Sequence, residues 1–471
     1  ISSVVINEGV ETVGSMAFAN NGALTSVTIE KGGDTDGWGD SIFLACSRLE
    51  SFVIPASWTK IPKGLLSSCG FLKKVEIPDS VTEIETKAFY GCRALKEIEL
   101  PSKLQTIGAS SFAGSGVKSI VIPSSVTSLS DNLFQDSQLE QITLNKGLQS
   151  IGTKAFSGST VVSVSIPDTV TSIGEEAFSG CKSLKEVTVG SGVQVLQEKT
   201  FFNCTALETV HLSKGLKSIG KEGKVNEYVF SGCTSLQDIT LPEGLEVIGW
   251  SAFEDCTALK TVNIPSTVRL IEYCSFDSCK SLTTLKLAEG LSPDAWCKDY
   301  ADVWLPFKGC SSLVNVNIPS SWTEIPQHFL DGAKGPKNVV LSSKITKIGA
   351  YAFNNCTGLE SVTIPSSVTE IGDYAFYGCR LTSVAIPDSV VNFGKFAIGG
   401  NPNLAQISIP STWKEVPSGL LKNNQVLKTF EIPDGIESIG ESAFDSCTAL
   451  GYDLNLSSLR ELGFYAFYKS G

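Results

Sequence analysis

A short sequence pattern recurs along the whole chain, and it constrains the fold more than any other feature. Each copy has a strand-like segment ending in an apolar residue and proline, followed by Val-x-x-Ile-Gly, Ala-Phe and Gly-Cys, as at 364–379 (IPSSVTEIGDYAFYGC). About twenty copies follow one another, mostly 22 or 23 residues apart. A copy this short cannot bury its apolar face alone, so stacked neighbours must share a core. The period therefore predicts a solenoid.

One copy shows how the residues build a turn of this solenoid. Ile98 and Leu100 alternate with a polar residue, which is typical of a half-buried strand, and Pro101 ends the pairing because it lacks an N–H group. Leu104 and Phe112 are expected to point inward from the rest of the copy. We predict an α/β solenoid of the leucine-rich-repeat class, with a parallel β-sheet on the concave face and short helices or turns on the convex face.

No linker or low-complexity tract interrupts the array, so we predict a single solenoid domain over residues 1–471. Three copies are longer than the rest, which predicts insertions near residues 31–41, 220–228 and 292–306. Insertions in repeat proteins form loops on one face, and that face is often used for binding.

The repeated unit closely resembles the BspA-like leucine-rich repeats, whose units contain the same Ile-Pro, Val-x-x-Ile-Gly, Ala-Phe and Gly-Cys elements. The resemblance covers essentially the whole chain. It implies a surface or secreted protein of a host-associated bacterium or parasitic protist, with a role in adhesion to host proteins, extracellular matrix or other microbes. It therefore implies an extracellular or cell-surface location, with the signal and the anchor absent from this chain, and it names no ligand.

The charge balance argues against two classes of partner. Acidic residues outnumber basic ones by 49 to 37, which gives a net charge of −12 and no basic cluster. Such a chain is a poor ligand for nucleic acid or anionic membranes. No run approaches the roughly 18 apolar residues of a membrane helix, so we expect no membrane insertion. We expect a monomer with a protein ligand.

Catalytic chemistry is not predicted. The only histidines are His211 and His328, and neither lies in a nucleophile motif. No phosphate-binding glycine loop precedes a helix. We therefore expect no enzyme activity, no cofactor and no catalytic residue.

Most cysteines share one position in the repeat. Twelve of the 14 lie three residues after the phenylalanine position, where other copies carry serine, so we predict buried, reduced thiols. No Cys-x-x-Cys pair is present, and we predict no metal site. Cys274 and Cys297 occupy one register in adjacent copies, which allows a disulfide if their Cα atoms come within about 7 Å.

Two groups of residues are candidates for ligand binding. The exposed strand positions contain an acidic patch of Glu76, Glu97 and Glu99. The insertions carry aromatic residues, which are enriched at interface hot spots and can stack on sugars. These aromatic residues are Trp38, Trp296, Tyr300 and Trp304. The alternatives are that the strand face is only solvated and that the insertions fold back over the solenoid edge.

The leading hypothesis is a non-catalytic binding protein that adheres to a host or matrix protein through the strand face and the loop at 292–306. A second hypothesis is glycan binding, with Trp296, Tyr300 and Trp304 as stacking platforms. A third is a structural spacer that projects another domain. Loss of binding on truncating loop aromatics would favour the second, and absence of saturable binding would favour the third.

Overall fold

The structure is a computed structural model that describes residues 1–30, 35–296, 305–451 and 457–471. The chain divides into two compact units, Ile1–Pro242 and Glu243–Gly471. Each unit is a stack of turns whose strands pair in parallel with those of neighbouring turns. The parallel-strand solenoid is therefore confirmed, and the prediction of one domain over residues 1–471 stays a prediction.

Each unit contains two parallel ladders. The long-strand ladder is formed by the predicted strands. In the first unit these are Ser3–Ile6, Ser26–Ile29, Ser51–Val53, Lys74–Glu76, Ser119–Val121, Gln141–Thr143, Ser163–Ser165, Glu186–Thr188 and Thr209–His211. In the second unit they are Thr261–Ile264, Thr284–Leu287, Asn315–Asn317, Asn338–Val340, Ser361–Thr363, Ser383–Ala385 and Gln406–Ser408.

The short-strand ladder was not predicted from the sequence. It consists of two-residue strands at the x-Ile positions of the Val-x-x-Ile-Gly element. In the first unit these are Lys60–Ile61, Glu83–Ile84, Thr106–Ile107, Ser128–Leu129, Ser150–Ile151, Ser172–Ile173, Val195–Leu196 and Ser218–Ile219. In the second unit they are Val247–Ile248, Leu270–Ile271, Glu324–Ile325, Lys347–Ile348, Glu370–Ile371, Asn392–Phe393, Glu415–Val416, Ser438–Ile439 and Glu461–Leu462.

A glycine follows many of the short strands, and the turns stack closely at these glycines. A Cβ atom on Gly174 would lie only 2.4 Å from the backbone nitrogen of Thr153 in the preceding turn. The glycine N–H donates to that turn as well, from Gly174 to the carbonyl oxygen of Ile151 over 2.8 Å. The Ile-Gly pair of the repeat therefore combines a buried side chain with a contact that excludes any side chain.

The segments around the repeated phenylalanine contain turns, and the described part of the chain has no α-helix. The residue two before the phenylalanine has a positive φ, for example 55° at Lys154 and 57° at Glu176, which is incompatible with a continuing helix. Its N–H donates instead to the next turn, from Lys154 to the oxygen of Glu175 over 3.0 Å. The 3-10 helices Thr35–Gly37 and Pro293–Ala295 both lie in predicted insertions.

The repeated phenylalanines are buried, and the segments around them form hydrogen bonds between turns. We call this set of inter-turn hydrogen bonds the phenylalanine row. Phe156 donates to the oxygen of Ala177 in the following turn over 2.8 Å. The rings stack in register, and those of Phe156 and Phe178 are 4.9 Å apart with an interplanar angle of 2°. The core of each turn is therefore enclosed by two strand ladders and this row, which explains how a turn with no α-helix keeps its backbone groups bonded.

The repeated cysteines are buried, as the sequence predicts. Thiols in this register lie beside a backbone oxygen of the preceding turn, as with Cys69 Sγ and the oxygen of Phe43 at 3.1 Å and Cys181 Sγ and that of Phe156 at 3.0 Å. Burial raises the pKa of the Cys69 thiol to about 12, so the neutral thiol is the stable form.

Candidate functional site

The outer side of the long-strand ladder is exposed because apolar and polar residues alternate along each strand. In the second unit, Val339 is buried in the core while Asn338 and Val340 on either side of it are exposed. Val340 is 85% exposed, which is unusual for an aliphatic side chain. The outer positions therefore form a surface whose composition is independent of core packing.

Five successive long strands of the second unit present no charged side chain at these outer positions. We call this surface the neutral face, and it consists of Asn315, Asn317, Asn338, Val340, Ser361, Thr363, Ser383, Ala385, Gln406 and Ser408. The cores of protein interfaces are depleted in charged residues, whose desolvation is costly. Most of these side chains are short and lose little conformational entropy when they are covered.

The acidic candidates lie on the long-strand face of the first unit. Glu76, Glu97 and Glu99 are all exposed. Glu76 is already paired, because its Oε1 atom is 2.7 Å from Lys74 Nζ, and this contact raises the pKa of the lysine. The patch is thus partly neutralised, and a role for its carboxylates in binding stays a prediction.

The tryptophan of the first insertion, a candidate for ligand binding, lies in the core, as the alternative of an insertion that folds back predicts. Trp38 is only 8% exposed, and its ring meets that of Trp58 edge-on at a centroid distance of 4.7 Å. Its backbone bridges to Val13 in the preceding turn. The insertion returns to the solenoid at this point, and Trp38 fills space beside a core tryptophan.

The tryptophan of the third insertion is buried as well. Trp296 is 1% exposed, and its Nε1 donates to the backbone oxygen of Phe329 over 3.2 Å. Its ring also meets that of Trp322 edge-on at 5.6 Å. It therefore cannot stack on a sugar without unfolding its surroundings. Tyr300 and Trp304 lie outside the described residues, and their role in binding stays a prediction.

The suggested disulfide joins Cys274 to Cys297. Cys274 is 4% exposed, and burial raises the pKa of its thiol to about 12. Cys297 lies outside the described residues, so the pairing stays a prediction.

The two histidines differ in environment. His328 is buried and its Nδ1 lies 2.7 Å from the Oδ2 atom of Asp331, which is also buried. His211 is exposed on the long-strand face, 3.4 Å from a carboxylate oxygen of Glu186. Within the described ranges, no group of three or more histidine, cysteine, aspartate and glutamate residues is arranged to hold a metal ion.

A groove of about 750 Å³ that the sequence did not predict runs beside the short-strand ladder of the second unit. Its lining includes Lys347 and Glu370, whose Nζ and Oε1 atoms are 3.0 Å apart, and the glycines Gly349 and Gly372. The recurrent Ile-Gly element was the sequence signal for this groove. Stacked glycines leave a strip without side chains, and the residues on either side of that strip carry side chains.

Comparison with known proteins assigns the family. The family model for the BspA type leucine rich repeat region matches residues 1–92, 59–164, 127–223, 221–293 and 305–401. The chain therefore belongs to the BspA-type leucine-rich-repeat family, whose members are generally protein-binding scaffolds. No curated protein matches the chain by sequence.

A solved leucine-rich repeat structure supports the fold. A leucine-rich repeat protein from Bacteroides ovatus is 24% identical, with a TM-score of 0.53 over 86% of this chain and 88% of that one. A leucine rich cell surface protein from Faecalibacterium prausnitzii is 22% identical, with a TM-score of 0.33 over 87% of each chain. Among the residues described, no helix has the length and apolar composition needed to cross a bilayer.

Proposed function

We propose that this chain is a non-catalytic binding protein, located at a cell surface or outside the cell, that adheres to a host or matrix protein. The observation that carries the proposal is the neutral face, where ten outer positions on five strands are free of charge. A regular strand ladder holds these side chains in place before a partner arrives, which reduces the entropy lost on binding.

Family membership and charge support a protein partner. Members of the family are generally protein-binding scaffolds, and one similar protein is named a cell surface protein. The net charge of −12 opposes association with nucleic acid and anionic membranes. Val340, on the second of the five strands of the neutral face, is the exposed apolar group whose burial would contribute most directly to affinity.

The test is a binding screen of the purified chain against extracellular matrix proteins and host-cell surfaces, with a V340E variant beside it. A charge on the neutral face would have to be desolvated in the complex, so we expect the Kd to rise at least about tenfold. The matched control is V391E, since Val391 is also exposed, at 71%, but lies beside the short-strand ladder. The control should bind within about twofold of the wild type.

Other outcomes would identify the alternative functions. Competition by soluble glycans, with loss of binding in Tyr300→Ala and Trp304→Ala variants, would support sugar binding by the third insertion. Loss of binding in Glu97→Gln and Glu99→Gln variants would place the contact on the acidic patch. Absence of saturable binding to every ligand would favour the spacer. Light scattering of the free chain tests the predicted monomer.

A further inference from the structure

The second insertion, residues 220–228, folds back over earlier turns of the first unit. Lys224 is its principal contact, because its Nζ atom lies 2.9 Å from Oε2 of Glu198 and 3.3 Å from Oε1 of Glu175. Lys221 adds a contact to Glu175 at 3.6 Å. The insertion therefore spans carboxylates from two preceding turns.

Glu227 lies near the end of this insertion, and the burial of its carboxylate is unusual. Its side chain is 0% exposed, and neither of its carboxylate oxygens makes a hydrogen bond of good geometry among the described residues, although the backbone N–H of Lys221 lies near enough to lower its pKa. The nearest cation is Lys224, whose Nζ atom is 3.9 Å from Oε1. Buried polar groups are nearly always hydrogen-bonded, so a carboxylate in this position is costly when it is charged.

The position of Glu227 is imposed by the backbone. Its carbonyl oxygen accepts a hydrogen bond from the N–H of Lys199 over 2.7 Å, as part of the phenylalanine row. Three residues later Phe230 enters the core and stacks on Phe201 at 5.2 Å. The phenylalanine row therefore holds the backbone of Glu227 at a position where its side chain is buried.

Burial favours the neutral form of Glu227, and most of the surrounding charges oppose that effect. Desolvation by burial raises the pKa of Glu227, and the nearby carboxylate of Glu198 acts in the same direction. The backbone of Lys221 and the ammonium groups of Lys224 and Lys221 oppose this shift only in part. Glu198 itself has a lowered pKa because Lys199, and then Lys224, bond to it.

We propose that residues 220–228 form a pH-sensitive clasp, which stays closed over Glu175 and Glu198 while Glu227 is protonated and opens when Glu227 ionises. Opening exposes the carboxylate to water and releases Lys224 from its partners. The clasp responds within the first unit and leaves its strand ladders in place.

The direction of the pH effect follows from the raised pKa. The stability that protonated Glu227 gives to the closed form is complete below the ordinary glutamate value of 4.5 and is lost as the pH rises through the pKa of the closed form. The pairs of Lys224 with Glu175 and Glu198 act oppositely, since they weaken only in acid. Glu227 therefore governs the response of the clasp between pH 4.5 and the raised pKa of the closed form.

Hydrogen exchange of residues 220–228 between pH 5 and 8, corrected for the intrinsic pH dependence of exchange, tests the proposal. The opening equilibrium should rise with pH between 4.5 and the pKa of the closed form and then level off, because both forms are ionised above it. An E227Q variant should lose this dependence, since a glutamine cannot ionise. The matched control is E222Q, which changes an exposed residue of the same insertion and should keep the wild-type profile.

A K224M variant should exchange freely in this segment throughout the range. Protection of the Phe178 amide, which donates to Thr200 in the next turn over 2.9 Å, reports in the same experiment whether these turns remain folded. Protection of residues 220–228 that does not change with pH in the wild type, or that still changes in E227Q, would overturn the proposal. Retained protection in K224M would do so as well.

Discussion

The indole Nε1 of Trp296 donates a hydrogen bond to the backbone oxygen of Phe329 over 3.2 Å, with both side chains in the core. A Trp296→Ala variant should therefore lose about 3–5 kcal/mol of unfolding free energy through the cavity it creates. Denaturant unfolding measures this loss. Phe71→Ala is the control, because Phe71 is 61% exposed and its removal should cost less than about 0.5 kcal/mol. Equal stability of the two variants would contradict the buried position of Trp296.

Where a glycine follows a short strand, the close stacking of turns should leave little room for a side chain. Gly174→Ala places a Cβ atom 2.4 Å from the Thr153 nitrogen, so the turns must separate, and we expect a loss of more than about 2 kcal/mol. Gly70→Ala is the matched control, because nothing lies within 4 Å of its added Cβ atom. Chemical denaturation of both variants compares them directly. A Gly174→Ala protein as stable as Gly70→Ala would show that the turns are not in close contact.

The positive φ angles of the phenylalanine row store strain that glycine should relieve. Ser110 has a φ of 56°, which costs about 1–2 kcal/mol for a residue with a Cβ atom. Glycine loses more entropy on folding, so Ser110→Gly should gain a net of about 0.5 kcal/mol. Ser128→Gly, in the short strand Ser128–Leu129, should instead destabilise the protein. Thermal unfolding of the two variants should shift the Tm in opposite directions, and a shared direction would refute this account.

Buried thiols should resist alkylation in the native protein. Burial raises the pKa of Cys181 to about 12 and that of Cys447 to about 11, so almost no reactive thiolate is present at pH 8. Iodoacetamide labelling followed by peptide mapping should leave the described cysteines unmodified until denaturant is added. Rapid labelling of Cys181 in the folded state would contradict its environment.

The same buried cysteines should lower the free energy of unfolding in alkali. A thiol whose pKa is raised in the folded state stabilises the fold fully below its ordinary value of 9.0, and this stability is lost as the pH rises toward about 12. The free energy of unfolding should therefore fall above pH 9. Replacing Cys181 with serine, the residue found at this position in other turns, should reduce that fall.

Much of the fold was predictable because about twenty copies of the unit show the same local preferences. The inward positions of Leu104 and Phe112 follow from apolar spacing, and both are fully buried. The short strand Thr106–Ile107 was not predicted, because two residues are too few to show a period of two. The positive φ at Ser110 was not predicted either, since serine has no preference for that conformation and inter-turn hydrogen bonds impose it.

The candidate site was less predictable, because insertions interrupt the repeat. Trp38 and Trp296 were candidates for ligand binding because of their place in longer copies, and both are core residues where the insertion meets the solenoid. Glu227 gave no sequence signal, since a glutamate in a polar loop normally faces solvent. The repeat pattern predicts the environment of the residues that follow it. The environment of residues in the insertions depends on contacts between turns, which the pattern does not describe.

Two rows of inter-turn hydrogen bonds in the first unit point in opposite directions. Gly108 donates to the oxygen of Ile84 in the turn before it, whereas Phe89 donates to Ser111 in the turn after it. The peptide dipoles of the two rows therefore oppose each other along the stacking axis. In a long α-helix aligned peptide units leave partial charges at the ends. Here the two rows offset each other, so added turns lengthen the array without aligning all of its peptide dipoles in one direction.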